Sequence, residues 1–165
     1  MGTAWNNAFD VFVGYLLMNA WFANQDRHHE NWGVINHNDA IYLAPTSDHA
    51  ASMGQNETDS VRKNRLNTKD PSYKIECYAE RARSAIYLTK TESKPLSTID
   101  VFEKSAVRSP KGGKLWRQML GDISKWQCLA IFERIPATEI SETAIEFALT
   151  LLELNKQRIL RDNKS

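Results

Sequence analysis

Two carboxylates and one amide in the first third of the chain have the types and spacing that phosphoryl transfer requires. Asp26 precedes Asn31 by five positions, and Asp48 follows Asn31 by seventeen. The reaction needs one carboxylate beside the attacking hydroxyl, to accept or orient its proton. It needs a second carboxylate and an amide oxygen to hold magnesium on the nucleotide phosphates. Magnesium takes oxygen ligands, so a carboxylate with an asparagine carbonyl suits it. All four histidines, His28, His29, His37 and His49, fall in the same stretch. With Asp26 and Asp48 they could instead suggest a metal-dependent phosphohydrolase. Such sites use an ordered His, then His-Asp, then Asp set carried on helices. Here the dipeptide is Asp48-His49, the reverse order, and the histidines fall in loops and a turn. His29, His37 and His49 therefore read as surface or supporting residues.

Short elements must position these groups. Phe9, Phe12, Val13, Leu16, Leu17 and Ala20 fall at three- and four-residue spacing and predict a buried helix over residues 6–21, ending near Asn24. Residues 24–32, NQDRHHENW, are polar and rich in turn formers, so they predict a loop. Gly33 to Ile35 and Ile41 to Leu43 predict short strands around a turn at residues 36–39, with Pro45 ending the second strand. A hairpin there is a rigid way to bring Asn31 and Asp48 together from the ends of two strands. Residues 46–72 predict a long irregular loop, functional or mobile in character. Tyr73 to Leu88 predicts one helix. Ser97 with Asp100 predicts a cap for a helix reaching about Ala106, and residues 108–113, RSPKGG, predict a turn. Lys114 to Phe132 predicts two short helices broken near Gly121. Beyond Pro136, Ser141 predicts the cap of a last helix striped with Ile145, Ala148, Leu151 and Leu152. The expected fold class is mainly α with a small β-hairpin, as one domain over residues 1–165. Trp116 and Trp126 are expected on core-facing helical faces, and Cys77 and Cys128 are expected to be buried and inert.

In protein kinases the catalytic Asp and the metal-binding Asn are likewise five apart, in HRDxxxxN. There a histidine precedes the aspartate. Here Asn24 and Gln25 precede it, and His28 follows by two. D-x-H-x-x-N is the pattern of phosphatidylinositol kinases and of HipA-like bacterial kinases. With "NQDRHHENWGVI" and then "IYLAPTSDHAASMG", the chain resembles the C-terminal domain of HipA-like serine/threonine kinases over roughly residues 8–54, and beyond that by helical pattern only. The resemblance implies a kinase-like C-lobe. It implies Asp26 as catalytic base, Asn31 and Asp48 as ligands of Mg2+ and through it of ATP, and His28 as a support of the catalytic loop by hydrogen bonding. It implies Mg-ATP-dependent transfer to a protein serine or threonine, autophosphorylation, a bacterial toxin–antitoxin context and a DNA-binding antitoxin as partner.

Two departures from that family stand out. An aromatic residue commonly precedes the second aspartate, and Ser47 stands there. The family's N-lobe carries a phosphate-covering loop, a nucleotide-anchoring lysine and the hinge, whereas this sequence opens at the helix before the catalytic loop. Gly112 and Gly113 match no phosphate loop, and Lys63 and Lys69 have no strand around them. An N-lobe on another chain, or one removed, is therefore expected to be needed for full activity. Two alternatives are a non-catalytic lobe that binds a partner and a lipid or small-molecule kinase lobe, since inositide kinases share D-x-H-x-x-N.

Composition sets the outer limits. Of 165 residues, 42% are hydrophobic and 25% charged, which excludes a disordered or fibrous chain. No apolar run reaches the length of a membrane span and no basic segment leads into an apolar core, so neither a membrane partner nor a secretory signal is expected. Two distant cysteines without CxxC spacing argue against zinc and disulfide frameworks and make the cytoplasm the expected location. The net charge of +1 hides an asymmetry: residues 1–59 hold one basic residue, Arg27, against seven acidic, while residues 60–94 hold nine basic against four acidic. Arg62, Lys63, Arg65 and Lys69 are expected to form a solvated loop, with docking of an acidic or phosphorylated substrate as a second role. Direct nucleic-acid binding is not expected.

Overall fold

Apolar side chains at helical spacing give the first element its place at the centre. The computed structural model describes residues 7–161, and in it α1 (Ala8–Phe22) packs against three later helices, α4 (Thr98–Arg108), α5 (Pro110–Asp122) and α7 (Glu142–Arg161). Asn7 caps α1 by accepting from the Asp10 amide at 3.0 Å. The helix ends where Ala23 turns left-handed, with φ 50°. Residue 6, where the expected helix began, lies outside the described residues.

Among the described residues the chain is mainly helical with one two-stranded antiparallel hairpin, β1 (Val34–His37) and β2 (Ala40–Leu43). Val34 pairs with Leu43 and His37 with Ala40. The turn is tighter than the four residues expected. Only Asn38 and Asp39 form it, at φ 49° and 60°, which is the left-handed pair that matches strand twist.

Val13, Leu16, Leu17 and Ala20 of α1 meet Ile99, Phe102 and Ala106 of α4, Leu120 of α5 and Ile159 of α7 in the main core. A second cluster joins Ala23, Phe147 and Leu151 to Ile75 and Ala79 of α3 (Ile75–Glu80), and a third joins Leu149 and Leu152 to Cys128 of α6 (Lys125–Phe132). Helix α7 thus contributes to all three. Gly14 allows α5 to come close, because a Cβ there would lie 2.1 Å from Trp116 Cε2. Trp116 Nε1 donates to the Asp10 carbonyl at 2.7 Å.

Several expected elements are corrected. The 46–72 loop contains α2 (Asp59–Asn67), capped by Thr58, whose hydroxyl accepts from the Val61 amide. The single helix expected over 73–88 shrinks to α3. Beyond it the main-chain groups bond elsewhere: Ser84 N to Leu96 O, Leu96 N to Ile86 O, and Ala85 N to Arg27 O. RSPKGG is not a turn. Ser109 alone separates α4 from α5, and Pro110 takes the first helical position, where its missing N–H costs nothing. Trp126 is 76% exposed rather than in the core, and Cys77 is only half-buried, whereas Cys128 is buried. Among the described residues no helix is long and apolar enough to cross a membrane.

Candidate phosphoryl-transfer site

The loop after α1 is built backward onto its own helix. Asn24 N donates to Asn19 O at 3.0 Å, and the Asn24 side-chain oxygen accepts from the Asp26 amide at 3.1 Å. Gln25 N donates to Ala51 O at 3.1 Å, and Met53 N to Phe22 O at 2.8 Å, so the segment after the hairpin straps the segment before Asp26. Asp26 itself is exposed. A carboxylate on a fixed main chain with a free face is what a base for an incoming hydroxyl needs.

Asn31 ends a single 3-10 turn, His29–Asn31, and is buried. Its Oδ1 accepts from the His28 amide at 2.9 Å, and its Nδ2 donates to Asp48 Oδ2 at 2.8 Å. The hairpin therefore brings Asn31 and Asp48 together across seventeen residues. Asp48 has φ 55°, a left-handed conformation that an aspartate tolerates at some cost. His28 holds the turn through its main chain. Its imidazole is half-buried, with Nδ1 3.7 Å from Glu30 Oε2.

Arg27 is the residue that motif reasoning passed over. It is 2% exposed. Its guanidinium donates to the Ser47 carbonyl, to Thr46 Oγ1 at 2.5 Å and to the Asp48 carbonyl at 3.4 Å, and lies 4.1 Å over the Trp32 ring. The side chain thus fixes the main chain that carries Asp48, at the position where an aromatic residue was expected and Ser47 stands. Burial lowers its pKa, and the nearby Asp48 charge works against that shift. A signal existed in the composition: Arg27 is the single basic residue in the first 59, and an isolated cation amid acidic residues is a candidate for internal pairing.

His49 packs edge-on to Phe22 and shares Thr46 Oγ1 at 3.2 Å. Burial first and Arg27 second push its pKa down, while Asp48 pulls it up, so the imidazole favours its neutral form. His29 and His37 are exposed. In the basic segment, Arg62 and Arg65 are committed to structure. Arg62 bonds Asp59 and the Gly54 carbonyl, while Arg65 pairs with Glu57 between the rings of Tyr73 and Tyr78. Lys63 and Lys69 are exposed.

Among the described residues no group of three or more His, Cys, Asp or Glu side chains is placed to hold a metal. The donor set at Asn31 and Asp48 is one carboxylate and one amide. Asp48 Oδ1 takes no hydrogen bond among the described residues, and Asn31 Oδ1 keeps a second lone pair beyond the one His28 uses. Two oxygen donors fit magnesium, which keeps waters and substrate phosphates as its other ligands. No family model, curated protein or solved structure matches this chain.

Proposed function

We propose that the chain is the kinase-like catalytic lobe of an enzyme that transfers phosphate from Mg-ATP to protein serine or threonine, as its HipA-like motif implies. The observation that carries this is the 2.8 Å contact between Asn31 and Asp48, on the far side of a tight turn from the exposed Asp26. Asp26 takes or orients the proton of the substrate hydroxyl. Asn31 and Asp48 would hold the metal. Magnesium, when bound, neutralises charge on the phosphate oxygens. Arg27 keeps the two halves of the site in register from behind.

The hairpin supports the need for a second lobe. Ile35 and Tyr42 on one face are 47% and 54% exposed, and Val34 and Ile41 on the other are 69% and 72% exposed. A two-stranded ribbon with apolar residues bare on both faces is marginal in water. A nucleotide-binding lobe seated there would cover them and complete the ATP contacts.

The test is transfer of labelled phosphate from ATP to protein, lipid and small-molecule mixtures. Label on serine or threonine that is lost in both Asp26→Asn and Asp48→Ala is expected. Label retained in both variants would contradict the assignment, and label confined to lipid would move the substrate class.

A further inference from the structure

Asp48 is the one left-handed residue in the segment 46–49, at φ 55°. Such a conformation persists where its neighbours over-determine it. Two sets of contacts do so here. Arg27 donates to the carbonyls of Ser47 and Asp48. Independently, the side chains of Thr46 and His49 meet across Asp48, with Oγ1 and Nε2 3.2 Å apart. Thr46 Oγ1 already accepts from Arg27 at 2.5 Å, so its own proton is available to the imidazole nitrogen. The imidazole is also seated edge-on against Phe22, with ring centroids 6.5 Å apart. Phe22 ends α1, just ahead of the loop that carries Asp26.

The bond from Thr46 to His49 closes a ring that contains the main chain of Ser47 and Asp48. Opening that ring frees Asp48 to return to negative φ, the ordinary region for a residue with a Cβ. The return swings the carboxylate and takes Oδ2 away from Asn31 Nδ2, its partner at 2.8 Å. Side chains that orient a metal-binding carboxylate without touching the metal change affinity by about 10–100-fold when removed. His49 lies outside the D-x-H-x-x-N pattern, so the motif gives it no role.

We propose that His49 is a positioning residue: through Thr46 it holds Asp48 in the left-handed turn that brings its carboxylate to Asn31. The purpose of that arrangement rests on the phosphotransferase reading. Two variants separate the bond from the packing. His49→Phe keeps a ring against Phe22 and loses the bond to Thr46, while His49→Gln supplies an amide that can restore the bond. The measurement is solvent exchange of the Asn31 side-chain amide protons, followed by NMR on the full chain with neither metal nor nucleotide. Exchange about tenfold faster in His49→Phe is expected, the equivalent of one hydrogen bond. The main-chain amides of α1 should be unchanged, and His49→Gln should recover most of the protection. Thr46→Val should speed the exchange in the native background and add little in His49→Phe, because one bond underlies both effects. Thr46→Ser keeps the hydroxyl and should match the native chain, which gives the same comparison from the other end of the bond. Mn-ATP should bind His49→Phe about tenfold more weakly than the native chain. Native exchange at Asn31 in both His49→Phe and Thr46→Val would overturn the proposal. So would a loss of protection that spreads equally to α1, a glutamine variant no better than the phenylalanine one, or fully additive effects of Thr46→Val and His49→Phe. Because exchange is read without ATP, its failure is separate from a failure of phosphate transfer, which the Asp26→Asn assay reports.

Discussion

Arg27 lies 4.1 Å over the ring of Trp32 and from there bonds the Ser47 carbonyl and the Thr46 hydroxyl. One buried cation thus ties the loop that carries Asp26, the start of the hairpin and the residues before Asp48 into a single unit. Removing the guanidinium strands the Ser47 and Asp48 carbonyls, while Thr46 Oγ1 keeps its contact with His49. Arg27→Met is expected to destabilise the chain by about 2–3 kcal/mol in chemical denaturation. Arg27→Lys should recover little of this, since an ammonium lacks the flat fork that spans several acceptors and stacks on an indole. A loss under about 0.5 kcal/mol for Arg27→Met, the range of ordinary surface changes, would contradict the role.

Gly14 is under a steric rather than a conformational demand. A Cβ there would fall 2.1 Å from Trp116 Cε2, and the indole is held by its bond to the Asp10 carbonyl. Gly14→Ala would normally favour a helix, yet here overpacking should dominate and cost about 1–3 kcal/mol. A Gly14→Ala chain of higher Tm would show that Trp116 swings away freely.

The two thiols should separate kinetically. Burial raises the Cys128 pKa, with Lys156 pulling the other way, so little thiolate is present near neutrality. Cys77 is half-buried. Alkylation with iodoacetamide followed by mass mapping should label Cys77 first and Cys128 only after denaturant is added. Equal rates in the folded chain would contradict the packing of α6 on α7.

Much of the fold was legible in local patterns. The apolar spacing of α1, the Ser97 and Ser141 caps and the strands on either side of Asn38 all sit within a residue or two of their expected places. What was illegible depended on distant partners. Residues 82–88 read as the end of a helix, but the main chain there bonds Arg27 and Leu96 instead, which no local window reveals. Gly112 and Gly113 look like a turn until the Ser109 hydroxyl and Ala106 are seen against them, where a side chain would collide. At the candidate site, the spacing of Asp26, Asn31 and Asp48 indicated which residues to compare. The supporting Arg27 was hidden, because a charged residue reads as surface until its acceptors are known.

The most direct measurement is a titration of the isotope-labelled chain with Mn-ATP, followed by amide NMR. Paramagnetic broadening that begins at Asn31 and Asp48, spreads to Asp26 and disappears in Asp48→Ala is expected if Asn31 and Asp48 hold the metal on the nucleotide. Amides of Asn31 and Asp48 that stay sharp while others broaden, or broadening that Asp48→Ala leaves unchanged, would contradict it.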